Sequence, residues 1–502
     1  MLKESIKYSF WINISQLINL LTSVLFAGMS IRYLGIFNTG ILISTSTITS
    51  WTPLFGIGSF NESLILLFVK LKNFRKQKAF NKFFNGYLFF NALIGILLAI
   101  VTLLFFPLIM KWSKIELSES IKYTTIFIII LTSFCLDQIS NSFKILYDVY
   151  LKYEYLAISN LYVSLLSNII KLIVLLIYKS ILTLAITIFI LSFIRLILEV
   201  FLIKKISKIS FYLSYNIKFL FNKKINKISY FSWMQNVSNI IIYNITNVIL
   251  LKNLGVNAIA ILGIPISITL QASQFILNSC SFLLPMFAEK KNINIFKIQD
   301  TLRWLISIIS VYIFGMIFLF SKEIITILVN LNFANQAFQS LQLFSIFSIF
   351  WSQEIVLYFI LLSKGEKQLS AINGLVSSLF VIITMLFFIS KFGLITMGIS
   401  QLTRIPFSFL FIYFAIHKLE IKNKFSVIVK PLLSSFLSII TLILLKSFFF
   451  TNSLNLFFSL LLSSIFYLLF VYLFEIIFFY NDNRLELIRK IIYQLRLKLK
   501  FQ

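Results

Sequence analysis

The sequence is short of charge, and of acid above all. Of its 502 residues 12% are charged, and 17 are Asp or Glu against 45 Lys or Arg. Soluble domains carry about 25% charged residues, so this chain lacks the means to cover a water-facing surface. Histidine occurs once, at His417, and cysteine twice, at Cys135 and Cys280. Both cysteines lie in apolar stretches away from other ligand-type residues, which excludes a zinc cluster and a disulfide framework. Long hydrophilic segments are missing too: the longest loop between apolar runs is 204–229. No cleavable signal peptide is expected, because the first apolar run is long, dotted with polar residues and followed by no small-residue cleavage site.

What is present is apolar. Hydrophobic residues make up 59% of the chain, more than a soluble core can use and what a bilayer requires. A span needs about 20 mostly apolar residues. Such runs fall near 8–30, 39–69, 87–110, 123–148, 156–178, 181–203, 230–251, 258–285, 304–330, 335–362, 370–390, 393–416, 429–449 and 454–479. The fold class expected is an all-α polytopic membrane protein of about 14 transmembrane helices. The runs 39–69 and 304–330 are long enough to tilt or break.

Lys and Arg concentrate in cytoplasmic loops of membrane proteins. With the N-terminus inside, 32 of the 45 fall on the cytoplasmic side, nine outside and four within spans. The split supports an even span count with both termini cytoplasmic. It also accounts for the net charge of +28 without nucleic acid, since the basic residues are dispersed over many short loops. The tail 481–502 is basic with Leu and Ile at helical spacing, and is expected to lie on the inner leaflet.

A shift of 220 residues superposes the start of span seven on that of span one. Lys7 meets Lys227, Ser9 meets Ser229, Gln16 meets Asn236, Asn19 meets Asn239, and Leu34-Gly35 meets Leu254-Gly255. Six spans separate the copies, so the halves share one orientation about an axis along the membrane normal. The expected organisation is a six-helix lobe and linker over 1–220, a second six-helix lobe over 221–428, two extra helices over 429–480 and the tail 481–502. Matching spans one and seven are expected to face each other across a cavity.

Charge inside the bilayer is costly and marks candidate sites. Asp137, Asn141, Lys144 and Asp148 recur at helical spacing on span four; the stripe lines a wet cavity or packs on other buried polar groups. Arg195 and Glu199, four residues apart on span six, are expected to form a structural ion pair. Uncharged stripes comprise Gln16 and Asn19 on span one, Asn236, Asn239 and Asn247 on span seven, and Gln271, Gln274 and Asn278 on span eight. These either bond between helices or face sugar hydroxyls, for which amides supply both donors and acceptors.

Short motifs carry a family likeness. Arg32-Tyr33-Leu34-Gly35 followed by Gly40, Gly56-Ile57-Gly58-Ser59 in span two, the turn Lys364-Gly365-Glu366-Lys367 and Pro285 at the end of span eight occur in the order and span positions seen in polysaccharide-unit flippases. In the second copy Asn253 stands for Tyr33 and Ala260 for Gly40. The chain resembles the Wzx-type lipid-linked oligosaccharide flippases of the multidrug/oligosaccharidyl-lipid/polysaccharide exporter (MOP) superfamily. The resemblance implies a bacterial inner-membrane protein that is not an enzyme and needs no cofactor beyond a coupling H+ or Na+. It implies an undecaprenyl-pyrophosphate-linked oligosaccharide as substrate, membrane lipids and the polysaccharide polymerase machinery as partners, and no nucleic acid. On that reading Lys144, Lys171 and Arg404 are candidates to offset the diphosphate's desolvation, and Glu62, Asp137, Asp148 and Glu354 to take up the coupling ion. A MATE-like exporter of cationic drugs is the alternative; it calls for a carboxylate-dominated cavity, whereas both signs occur here. A membrane-embedded polymerase needs a catalytic external loop, and the predicted ones are short.

Overall fold

Two glycines show most directly how this sequence sets its helix boundaries. Gly35 lies at φ 83°, ψ 164° and Gly255 at φ 84°, ψ −178°, a region that only glycine enters without strain. They are the pair matched by the 220-residue shift, and each breaks one span from the next.

The computed structural model describes residues 2–51, 61–73, 77–113, 120–150, 152–207, 212, 223–280, 283, 295–419, 436, 437, 439, 440, 443, 463–467 and 469–471, and within them contains helices and turns but no strand. The helices are α1 Leu2–Thr49 (broken at Gly35), α2 Asn61–Asn73, α3 Gln77–Ser113, α4 Ser120–Tyr150, α5 Tyr153–Leu161, α6 Asn168–Tyr178, α7 Ile181–Ile206, α8 Lys223–Ile240, α9 Thr246–Leu254 and α10 Val256–Ser279. They continue with α11 Ile295–Leu319, α12 Ser321–Leu328, α13 Leu331–Ser352, α14 Ile355–Ser363, α15 Gln368–Phe392, α16 Ile395–Leu402 and α17 Ile405–Lys418. Short π-helical turns, Tyr162–Ser167 and Ile241–Ile245, join α5 to α6 and α8 to α9.

Among the described residues ten helices are long and apolar enough to cross a membrane, and the pair α13–α14, bent by 40°, makes an eleventh. The all-α polytopic reading stands. Both long runs are interrupted: 304–330 breaks at Phe320 between α11 and α12, and within 39–69 helix α1 ends at Thr49 and α2 starts at Asn61. Most of spans thirteen and fourteen, the tail 481–502, most of the loop 204–229, Pro285 and the stretch Gly56–Ser59 lie outside the described residues.

Large apolar side chains stay on the outer surface, Leu104 and Phe387 among them at 73% and 71% exposed. That pattern suits lipid, where an apolar exterior costs nothing. The first half packs around Phe68, Phe80, Phe84 and Tyr147, the second around Phe314, Val356 and Phe411.

The halves meet most extensively where α1 runs along α10. A Cβ at Gly40 would lie 2.5 Å from the carbonyl oxygen of Val256, so glycine there permits the close approach. Ile43 touches Gly263, the position matched to it by the 220-residue shift. That contact joins spans two and eight. Polar bonds reinforce it: Asn247 of α9 donates to Thr47 at 3.2 Å, and Asn19 to Gln271 at 3.5 Å.

Nothing lies within 4 Å of where a Cβ would stand at Gly35 or Gly255, so alanine there meets backbone strain alone. Gly35→Ala and Gly255→Ala should each cost about 1–3 kcal/mol, read as a lower melting temperature in detergent. Unchanged melting of both would mean that the breaks relax without cost.

Candidate functional site

Two polar clusters lie inside the spans, one in each half. The first is built on α4, where Asp137, Asn141, Lys144 and Asp148 share a face as the spacing predicts. Arg195 of α7 donates from Nη1 to Asp137 at 2.9 Å and from Nη2 to Asn141 at 2.7 Å, and Ser192 donates to Asp137 at 3.0 Å. The expected Arg195–Glu199 ion pair is not formed. Helical spacing brings those residues to one face, but α4 packs on that face and gives the guanidinium fork two acceptors at once. Glu199, fully buried, instead accepts from Tyr147 at 2.5 Å and from Ser159.

Lys144 lies among Asp137, Glu199 and Arg195. Lys171 of α6 sits 5.8 Å from the Phe26 ring and within electrostatic reach of Asp137 and Arg195. Lys144, Lys171 and Arg195 thus all lie within reach of Asp137, and Lys144 of Glu199 as well, which gives these cations the opposite charge that groups withdrawn from water need.

The second cluster surrounds a cavity of about 420 Å³ within the second half, walled by residues of α8, α10, α13 to α17 and the π-turn after α8. Helix breaks place its two charges. Glu354 precedes α14 at the 40° bend, where the helix N-terminus favours an anion. Arg404 precedes α17, whose second residue Pro406 has no N–H to continue α16. Arg404 donates to Gln401 at 2.9 Å, lies 4.4 Å over the Phe347 ring and is within electrostatic reach of Tyr243 and Glu354, and Ser408 lies beside Glu354. Tyr243 belongs to the π-turn, whose extra residue re-aims a side chain. Two buried donors in this wall, Arg404 Nε and Gln401 Nε2, have no partner in the protein. Such an unmet donor costs about 1–3 kcal/mol.

The structure therefore divides the sequence-predicted residues. Asn239, Gln274, Glu354 and Arg404 converge on the cavity. Asp137, Lys144, Asp148 and Lys171 belong to the first-half cluster. Asn19, Asn247 and Gln271 bond across the seam, while Asn236 and Asn278 are half-buried outside the cavity lining. The side chains of Gln16 and Glu62 lie outside the described residues. Sequence reasoning missed Gln401, Trp351 and Asn373 in the cavity wall. Gln401, Arg404 and Ser408 follow i, i+3, i+7, a legible stripe, but the break hides it.

The motifs take structural parts. Arg32 donates to the carbonyl oxygens of Val329 at 2.9 Å and Ile327 at 3.1 Å, tying α1 to the end of α12. In the turn 364–367, Glu366 pairs with Lys418 and Lys367 donates to Ser232 at 3.1 Å. Burial pushes the Lys367 amine down to about 8.

No family model matches the sequence, and no curated protein does. Solved structures do. Lipid II flippase MurJ in an inward closed conformation superposes with TM-score 0.74 at 17% identity, over 95% of this chain and 99% of that one. A multidrug resistance MATE family transporter of the MOP superfamily, inward-facing, gives TM-score 0.63 at 12% identity over 82% of this chain and 96% of its own. A point mutant of the Vibrio cholerae MATE transporter VcmN gives 0.61 at 12% over 84% and 97%. The chain has the fold that lipid II flippase and the MATE transporters of the MOP superfamily share.

Proposed function

We propose that the protein moves an undecaprenyl-pyrophosphate-linked oligosaccharide across the bacterial inner membrane by alternating access between its halves, with both termini cytoplasmic. The observation that carries this reading is the cavity wall. Amides and hydroxyls (Asn239, Gln274, Asn373, Ser377) and aromatic rings (Phe347, Trp351) surround one guanidinium and one carboxylate. Amides and hydroxyls match sugar hydroxyls, and rings match their apolar faces. The likeness to lipid II flippase also runs over 95% of the chain, against 82–84% for the two MATE structures, as befits a carrier of a lipid-linked head group. The polyprenyl tail stays in lipid while the glycan enters between the halves. Lys144, Lys171 and Arg404 are the cations available to the substrate's anionic groups, and Glu62, Asp137, Asp148 and Glu354 are the candidates to take up a coupling H+ or Na+.

The MATE likeness favours one second reading, a cation antiporter. Arg404 speaks against it, since a fixed cation in the cavity wall repels a cationic drug. Deleting the protein in its own cell decides between them: lipid-linked glycan should accumulate on the cytoplasmic side and clear when the protein is restored. Normal glycan export with heightened sensitivity to cationic drugs would instead establish the antiporter.

A further inference from the structure

The second-half cavity holds one fixed cation, and its surroundings say which anion suits it. Arg404 is oriented on two sides, by the Phe347 ring beneath it and by Gln401 on Nη1. Its Nε and the Nε2 of Gln401 are buried donors without a protein partner. Glu354 lines the same cavity and lies within electrostatic reach of the guanidinium. A diphosphate entering here brings two or more negative charges to a single cation and meets the Glu354 carboxylate as well. One carboxylate matches one guanidinium, which binds it through a fork of N–H donors. The remaining wall offers Asn239, Gln274, Asn373 and Ser377 for hydroxyls and Trp351 for an apolar sugar face.

Resting on the flippase reading, we propose that this cavity is a subsite for a carboxylate-bearing sugar of the glycan, a uronic acid. Arg404 donates to the sugar carboxylate from the Nη side of its guanidinium, and Glu354 is the counterion that keeps Arg404 paired when no sugar is bound. The diphosphate is held elsewhere.

The test is calorimetric titration of the purified full-length protein in nanodiscs with glucuronate, glucose and inorganic pyrophosphate. Glucuronate should bind at least about tenfold more tightly than glucose, the worth of a charge-assisted hydrogen bond. Arg404→Lys should reduce that preference below about threefold, because an ammonium has no fork. Gln401→Glu, which sets a carboxylate beside the guanidinium, should abolish glucuronate binding and spare glucose; it serves if Arg404→Lys does not fold. Equal binding of glucuronate and glucose overturns the proposal. So does pyrophosphate displacing glucuronate at lower concentration, which assigns the site to the diphosphate. Either failure leaves the flippase reading intact, because that reading stands on glycan movement across the membrane.

Discussion

A disulfide joining Gly28→Cys to Leu328→Cys is expected to reduce transport to background, and reduction to restore it. A Cβ built at Gly28 lies 3.0 Å from the Leu328 Cβ. Bridged cysteines have Cβ atoms about 3.5–4.5 Å apart, so the bond needs a shift of only a few tenths of an ångström. One turn further, Arg32 gives two bonds to Val329, at 3.2 and 2.9 Å, and one to Ile327 at 3.1 Å. The last carbonyls of a helix have no partner within it and carry the negative end of its dipole, so a guanidinium satisfies them well. This end of the molecule is held shut across the two halves. Alternating access requires it to part, and the crosslink forbids that. The readout is lipid-linked glycan reaching the outer leaflet, before and after reductant. Undiminished transport by fully crosslinked protein would rule out rocking about this interface.

Arg195→Ala should be the most damaging single change in the first half. It removes the partner of Asp137 at 2.9 Å and of Asn141 at 2.7 Å and leaves a carboxylate within a membrane span. Breaking a buried pair costs about 3–5 kcal/mol; Asp137 keeps 32% of its side chain exposed, which places the loss near the lower end. The double variant Asp137→Ala, Arg195→Ala removes both charges and should regain at least half of that loss, since removing one partner costs more than removing both. Thermal unfolding in detergent measures it. A double variant no better than Arg195→Ala would mean that Arg195 is held mainly by Asn141 and by packing.

Periodicity told which residues share a helix face, and that much was legible. The stripe Asp137, Asn141, Lys144, Asp148 is one face of α4, and the repeat puts Gly35 and Gly255, whose dihedral angles match, in register. The facing partner was not legible. Arg195 sits four residues from Glu199, and a local rule pairs them; packing gave Arg195 two acceptors on α4 and gave Glu199 two hydroxyls. Likewise Asn239 and Gln274 read as parts of separate stripes, and the structure brings them to one wall with Glu354 and Arg404. The bend at Gln353–Glu354 and the helix break at Thr403–Arg404, beside Pro406, show in no hydropathy profile.

Movement of a lipid-linked glycan by the isolated protein tests the central claim most directly. The lipid-linked glycan that accumulates on deletion is extracted, reconstituted on the inner leaflet of vesicles with the purified protein, and probed from outside with a membrane-impermeant lectin. The account predicts that the glycan becomes reachable in vesicles holding the protein and stays hidden in empty ones, or in those holding the oxidised Gly28→Cys, Leu328→Cys variant. Exposure at the rate of empty vesicles, from protein that is folded and correctly inserted, would contradict it.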